Sequence, residues 1–125
     1  MLVEKFINLT PHAVRVYGCA GFGFTEIAPS GQVARVDEEW VSVGGTEIAH
    51  PDGGLPVELW RTEPGPVTGL PPVEPGVRLI VSAMVRVASG RADLVSPGKL
   101  MRDHGGRVIG CEGFVCNDRN DRVRR

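Results

Sequence analysis

The sequence predicts an α+β, β-rich fold, a small twisted antiparallel-rich sheet with one short helix directly after a strand at 77–81. Three observations carry this expectation. Glycine (17) and proline (10) are abundant among 125 residues, which shortens elements and multiplies turns. Aromatics are few, with four Phe, two Trp and one Tyr, so the core must rest on Val, Leu, Ile and Ala. Finally, Val77-Arg78-Leu79-Ile80-Val81 is β-branched and nearly all apolar, as a strand buried on both faces should be, and it runs straight into the helix-capping residue Ser82. A chain of this length buries roughly two thirds of its unfolded surface, enough for one core. Residues 1–116 are expected to form a single globular domain, and 117–125 a charged, disordered tail.

The elements follow in order. Val3 to Asn8 is β-prone, Pro11 interrupts it, and Ala13 to Tyr17 alternates cleanly, which gives two strands or one strand bent at the proline. After a loop at Gly18–Gly23, Phe24 to Ala28 and Gln32 to Val36 flank the turn Pro29-Ser30-Gly31. Between Asp37 and Gly54 the pattern weakens into short segments around Gly44-Gly45 and Pro51-Asp52-Gly53-Gly54. Leu55 to Arg61 reads as a strand, and Glu63 to Gly76, with five prolines, as an extended surface loop. Ser82 then caps a helix over Ala83–Ala88 that exits at Ser89-Gly90. A short strand at Ala92–Val95 is followed by a hairpin, Lys99–Arg102 with Arg107–Cys111, turning at Asp103-His104-Gly105-Gly106, and Phe114 to Cys116 adds a last short strand.

A formal net charge of −1 gives no field that would draw the chain to nucleic acid or an anionic membrane, so neither is expected as a partner. No stretch reaches the roughly 18 apolar residues of a membrane span, and the start lacks the basic and apolar regions of a signal peptide, so a cytoplasmic location is expected. The odd count of three cysteines agrees, because Cys19, Cys111 and Cys116 cannot make a closed disulfide framework. The Cys111–Cys116 spacing also departs from the tight knuckle of structural zinc, so no metal is assigned. Phosphate-loop, dinucleotide, zinc-protease and kinase motifs are absent from the sequence, and no cofactor is assigned.

Six residues are candidates for binding. Ser82 offers a hydroxyl beside the unpaired N–H groups of a helix start, a setting that favours anions, against the plainer role of an N-cap. Arg35 and Arg91 sit beside strands or turns and suit bidentate recognition of phosphate or carboxylate, with Asp93 near Arg91; the plainer role is a surface ion pair worth roughly 0–1 kcal/mol. His12 follows a proline-fixed bend where its imidazole could face a cleft, and Ser30 stands in the turn between two strands. His50 and His104 fall in turns and are expected to face solvent.

The string Asn8-Leu9-Thr10-Pro11-His12, then Pro29-Ser30-Gly31 with Ala34-Arg35, Gly69-Leu70-Pro71, Ile80-Val81-Ser82, Asp93-Leu94-Val95 and Gly106-Arg107-Val108-Ile109-Gly110-Cys111 resembles a family of small uncharacterised proteins of bacteriophages, prophages and actinobacterial genomes. The resemblance spans most of the chain. It implies a phage-type accessory or anti-defence setting, in which small proteins sequester a signalling molecule, often a nucleotide. The leading expectation is therefore a non-enzymatic protein that binds a phosphorylated or nucleotide-like ligand through His12, Ser30, Arg35, Ser82, Arg91 and Asp93. The alternative is a protein–protein interaction module that inhibits a host enzyme, anchored by Trp40, Trp60 and the proline-rich segment. Short strands with open edges also point to a homo-oligomer.

Overall fold

The computed structural model describes residues 3–18 and 23–117. Cys19, most of the predicted 18–23 loop and the tail from 118 onward lie outside the described residues. The elements are β1 (Lys5–Asn8), β2 (Val14–Tyr17), β3 (Phe24–Ile27), β4 (Arg35–His50), β5 (Gly53–Thr68), β6 (Val77–Ile80), α1 (Ala83–Ser89), β7 (Leu94–Arg102) and β8 (Val108–Cys116). The chain is β-rich with one short helix, closer to all-β than to the expected α+β class. Its main sheet has the order β1-β6-β7-β8-β2-β3 and is mixed, with β2–β3 and β7–β8 antiparallel. The parallel neighbours are β1 with β6, β6 with β7, and β2 with β8. Parallel neighbours need a crossover, and α1 supplies the one between β6 and β7.

The sequence around α1 explains its ends. The Ser82 hydroxyl accepts from the Val85 N–H at 3.3 Å, and Gly90 at φ 71° adopts the left-handed conformation that closes the helix. The helix lays Val85 on the sheet face formed by Leu79, Val81 and Leu94, and Leu9 and Ala34 complete this core. Val77–Val81 is interior to the sheet as expected, with Leu79, Ile80 and Val81 buried. On the opposite face Phe6 and Phe114 stack at 5.2 Å between ring centroids. Their strands stand three places apart, about 14 Å in a flat sheet, so the sheet must curl to bring the rings together.

The curl brings the sheet's two edges together at Asn8. This residue is fully buried, and its backbone bridges to Pro29, just beyond the edge strand β3. Its side-chain amide donates to the His12 carbonyl at 2.8 Å and the Ile27 carbonyl at 3.0 Å, while Oδ1 accepts from the Thr10 N–H at 2.9 Å and the Thr10 hydroxyl at 2.6 Å. Carbonyls on one side and an N–H on the other fix which end of the amide is which. The next residue, Leu9, donates to the Ile80 carbonyl and accepts from the Ala34 N–H. One dipeptide thus joins β1, β6, the end of β3 and the 29–34 segment.

Three local expectations are corrected. The weak 37–54 region and the first part of the proline-rich stretch, 63–68, are not short turns and a loop: β4 and β5 form one antiparallel arm of two 16-residue strands, and only 69–76 is the expected loop. Its turn is Pro51-Asp52. Prolines 56, 64 and 66 are accepted because each strand of a two-stranded ribbon is an edge and has one side without a ladder. Ala92–Val95 and Lys99–Arg102 are not separate, since β7 runs through Pro97 where β6 has already ended. Asn117, expected in the tail, is anchored: its amide donates to the Arg86 carbonyl at 2.9 Å and the Arg91 carbonyl at 3.1 Å.

At the foot of the arm Gly69 holds φ +89°, and a Cβ there would collide with the Val33 carbonyl. Gly69→Ala is expected to cost about 1–3 kcal/mol in denaturant unfolding. Asn8→Asp is expected to cost more, about 3–5 kcal/mol, because a carboxylate has no proton to offer the His12 and Ile27 carbonyls. An Asn8→Asp loss under about 1 kcal/mol would contradict the role given to this side chain.

Candidate functional site

The predicted site residues separate into two groups. Arg35 opens β4 and Ser82 caps α1 just after β6, and both line one cleft of about 250 Å³ with Pro11, Val33, Ala34, Val36, Met84 and Val85. The Asn8–Leu9 junction produces this meeting, because it ties the 29–34 segment to the end of β6. His12 adjoins the cleft through Pro11, and the atom of His12 in hydrogen bonds is its carbonyl, which accepts from Asn8 and Thr10. Ser30 lies in the same stretch, where its hydroxyl accepts from the Gln32 N–H and donates to the Gln32 carbonyl, both at 3.3 Å, a turn-stabilising pair.

Arg91 and Asp93 do not join that cleft. Arg91 follows Gly90 at the C-terminal end of α1, whereas Ser82 caps the N-terminal end. The guanidinium grips Asp93 through two parallel bonds, Nε to Oδ1 at 3.0 Å and Nη2 to Oδ2 at 2.7 Å, and donates to the Pro71 carbonyl at 2.9 Å. The Asp93 hydrogen bond raises the Arg91 pKa, burial opposes it, and the Asp93 charge adds to the rise. This pair pins the 69–76 loop to the strand entry of β7. It is a structural clamp, so the expected single cleft containing Arg35, Ser82 and Arg91 is corrected to one containing Arg35 and Ser82.

A second buried network was not legible in the sequence. Arg86 donates from Nε to the Ser96 hydroxyl at 2.9 Å and from Nη1 to Asn117 Oδ1 at 2.9 Å. Ser96 is buried beneath it, and Asn117 returns its amide to the helix end. Helix end, β7 and the exit of β8 are thereby locked together. The signal was faint, because Arg86 and Asn117 read as ordinary polar residues.

The largest unexplained surface is the arm. Trp40 pairs in register with Thr62 and Ser42 with Trp60, which puts both tryptophans on one face, where they meet edge-on at 6.2 Å. They are 63% and 49% exposed, so a large part of each indole faces solvent. The same face carries Glu38, Glu47 and Glu58 by register, and no basic residue. At its root it borders a groove of about 530 Å³ against α1, lined by Glu38, Thr62, Pro64, Ala83, Met84, Val87 and Ala88. Ile48, Leu55 and Leu59 are exposed on the other face.

Among the described residues no three His, Cys, Asp or Glu side chains gather where they could hold a metal ion, and no helix is long and apolar enough to cross a membrane. No protein-family model, curated protein or solved structure matches the chain.

Arg91→Ala is expected to lower stability by about 2–4 kcal/mol, since it strands the poorly exposed Asp93 carboxylate and unpairs the Pro71 carbonyl. Arg35→Ala, at an exposed position, should stay within about 0.5 kcal/mol. The raised Arg91 pKa means that this contribution is complete below the ordinary arginine value and is lost only as pH climbs past the raised one. Thermal unfolding across the neutral range should therefore show the same Arg91→Ala deficit at every pH, and a deficit confined to one part of that range would count against the clamp.

Proposed function

We propose that the protein is a non-enzymatic protein–protein interaction module and that the β4–β5 arm is its contact element. The observation that supports this reading is the exposure of large apolar side chains along the arm: Trp40, Val43 and Trp60 with Ile48, Leu55 and Leu59. Large apolar side chains exposed on both faces of one ribbon mark a surface that something covers, and tryptophan is among the residues most enriched as interface anchors. An isolated two-stranded ribbon is also marginally stable in water, so contact with a partner would stabilise this one. The arm is separable from the core, for only its foot, at Val36 and Val67, packs against the buried cluster. In the phage-type setting that the sequence resembles, a module of this kind acts by occupying the surface of another protein.

A second reading rests on the Arg35–Ser82 cleft. A guanidinium and a capping hydroxyl at one opening could hold a phosphorylated or nucleotide-like ligand. Its volume, about 250 Å³, falls below the roughly 300–1,000 Å³ of ordinary small-molecule pockets, and the Ser82 hydroxyl is already engaged by Val85. The groove beside the arm is twice as large and apolar, which ranks the interaction reading first.

Two measurements separate the readings. A photo-crosslinking phenylalanine analogue in place of Trp60 is expected to give a protein adduct in the producing cells, while the same group at Thr25, on the exposed sheet edge, gives none. Absence of any adduct from the arm overturns the interaction reading. For the cleft, a nucleotide or phosphorylated metabolite at a hundred times its dissociation constant adds about 2.7 kcal/mol of stability. A panel in which no compound raises the melting temperature, or in which Arg35→Ala leaves a raised value unchanged, removes the ligand reading.

A further inference from the structure

Charge is divided unevenly along the chain. Residues 35–68, the arm, hold seven acidic side chains against two basic ones, and the remainder holds twelve basic against eight acidic. The tryptophan face of the arm is the extreme case, with Glu38, Glu47 and Glu58 around two exposed indoles and no cation among the residues it presents. Such a face fits a surface that is apolar at its centre and basic at its rim.

The far end of the β7–β8 hairpin is a surface of that description. Leu100, Val108 and Ile109 are exposed there, beside Arg102 and Arg107, with Lys99 and the exposed Glu112 further back along the ladder. The acid within the turn, Asp103, is drawn inward, its Oδ1 accepting from the Gly105 and Arg107 N–H groups at 2.8 and 3.0 Å. Arg102 gives one bond to the Gly106 carbonyl and keeps its remaining donors available.

Size decides whether two such contacts suffice. A 16-residue strand extends about 50 Å, and a ribbon of two strands is about 10 Å wide, so one face presents about 500 Å². Covering half of that face in each of two reciprocal contacts buries about 1,000 Å² in total, the lower bound for a specific interface.

We infer that the arm's partner is a second copy of this chain: the Trp40–Trp60 face of one copy packs on the β7–β8 tip of the other, and the exchange is reciprocal about a two-fold axis. This rests on the reading of the arm as an interaction element and names what it binds. The charges set which surfaces meet, and the indoles and Leu100, Val108 and Ile109 supply the apolar contact.

Sedimentation equilibrium of the full chain tests it, together with its intrinsic fluorescence, because both tryptophans of the sequence lie on the proposed face. The wild type is expected to be a dimer that weakens with added salt, and its emission should shift to the blue as concentration rises. Glu47→Lys with Glu58→Lys, and separately Arg102→Glu with Arg107→Glu, should each weaken the dimer at least about tenfold. All four substitutions in one chain should restore it to within about threefold of wild type. Circular dichroism and melting of each variant establish that it is folded, and Leu100→Ser, which alters no charge, should weaken the dimer in a folded chain as well. A monomeric wild type, a dimer indifferent to both charge reversals, or a quadruple variant no tighter than either double overturns the exchange. A monomeric wild type whose arm still gives adducts with a different protein refutes self-exchange alone and leaves the interaction reading standing.

Discussion

Asn8 carries hydrogen bonds to the Thr10–His12 turn and to the end of β3 from a site without solvent exposure, and the geometry of the molecule follows from it. A six-stranded sheet has two edges, and this one brings its edges together where Asn8 meets Ile27 and Pro29. The same junction passes through Leu9 to β6 and to Ala34, the residue before the arm begins. The direction in which the arm leaves the sheet, and the approach of Arg35 to Ser82, are both set there. A side chain that only donated or only accepted could not do this, because the partners on its two sides have opposite hydrogen-bonding character.

The arm and the sheet obey different physics. In the sheet the central strands have faces to bury, and α1 closes one face through Val85 while the Phe6–Phe114 stack lies on the other. The arm buries little beyond its foot. What holds it together is its own ladder, the tryptophan pair and an exposed Arg61–Glu63 bridge at 2.9 Å worth little by itself. Apolar side chains kept in that setting are better explained by contact outside the chain than by folding.

The arginines show why residue type does not settle role. Arg35, Arg86 and Arg91 all sit at element ends, yet Arg91 is held by a bidentate carboxylate and Arg86 by Ser96 and Asn117, so both are part of the scaffold. Arg35 is exposed and lines a cleft with Ser82.

The sequence by itself determined the β-rich class, the interior strand at 77–81, the Ser82-capped helix ending at Gly90 and the hairpin turning at 103–106, because each is written in local chemistry: β-branched runs, a capping hydroxyl, a left-handed glycine. It also singled out Arg35 and Ser82, but their meeting, like the separation of Arg91, depends on a junction between residues far apart in the chain. Apart from the strand at Leu55 to Arg61, the arm escaped notice for a definite reason. Alternation of apolar and polar residues records a strand with one buried face, and a ribbon exposed on both faces leaves no such record, while its prolines, tolerated on free edges, read as loop. Asn117 was hidden similarly, since a polar residue in a charged stretch acquires its partners only when α1 is brought beside the end of β8. Only the tertiary structure decided these points, because each depends on which segments lie side by side, and local sequence does not specify that.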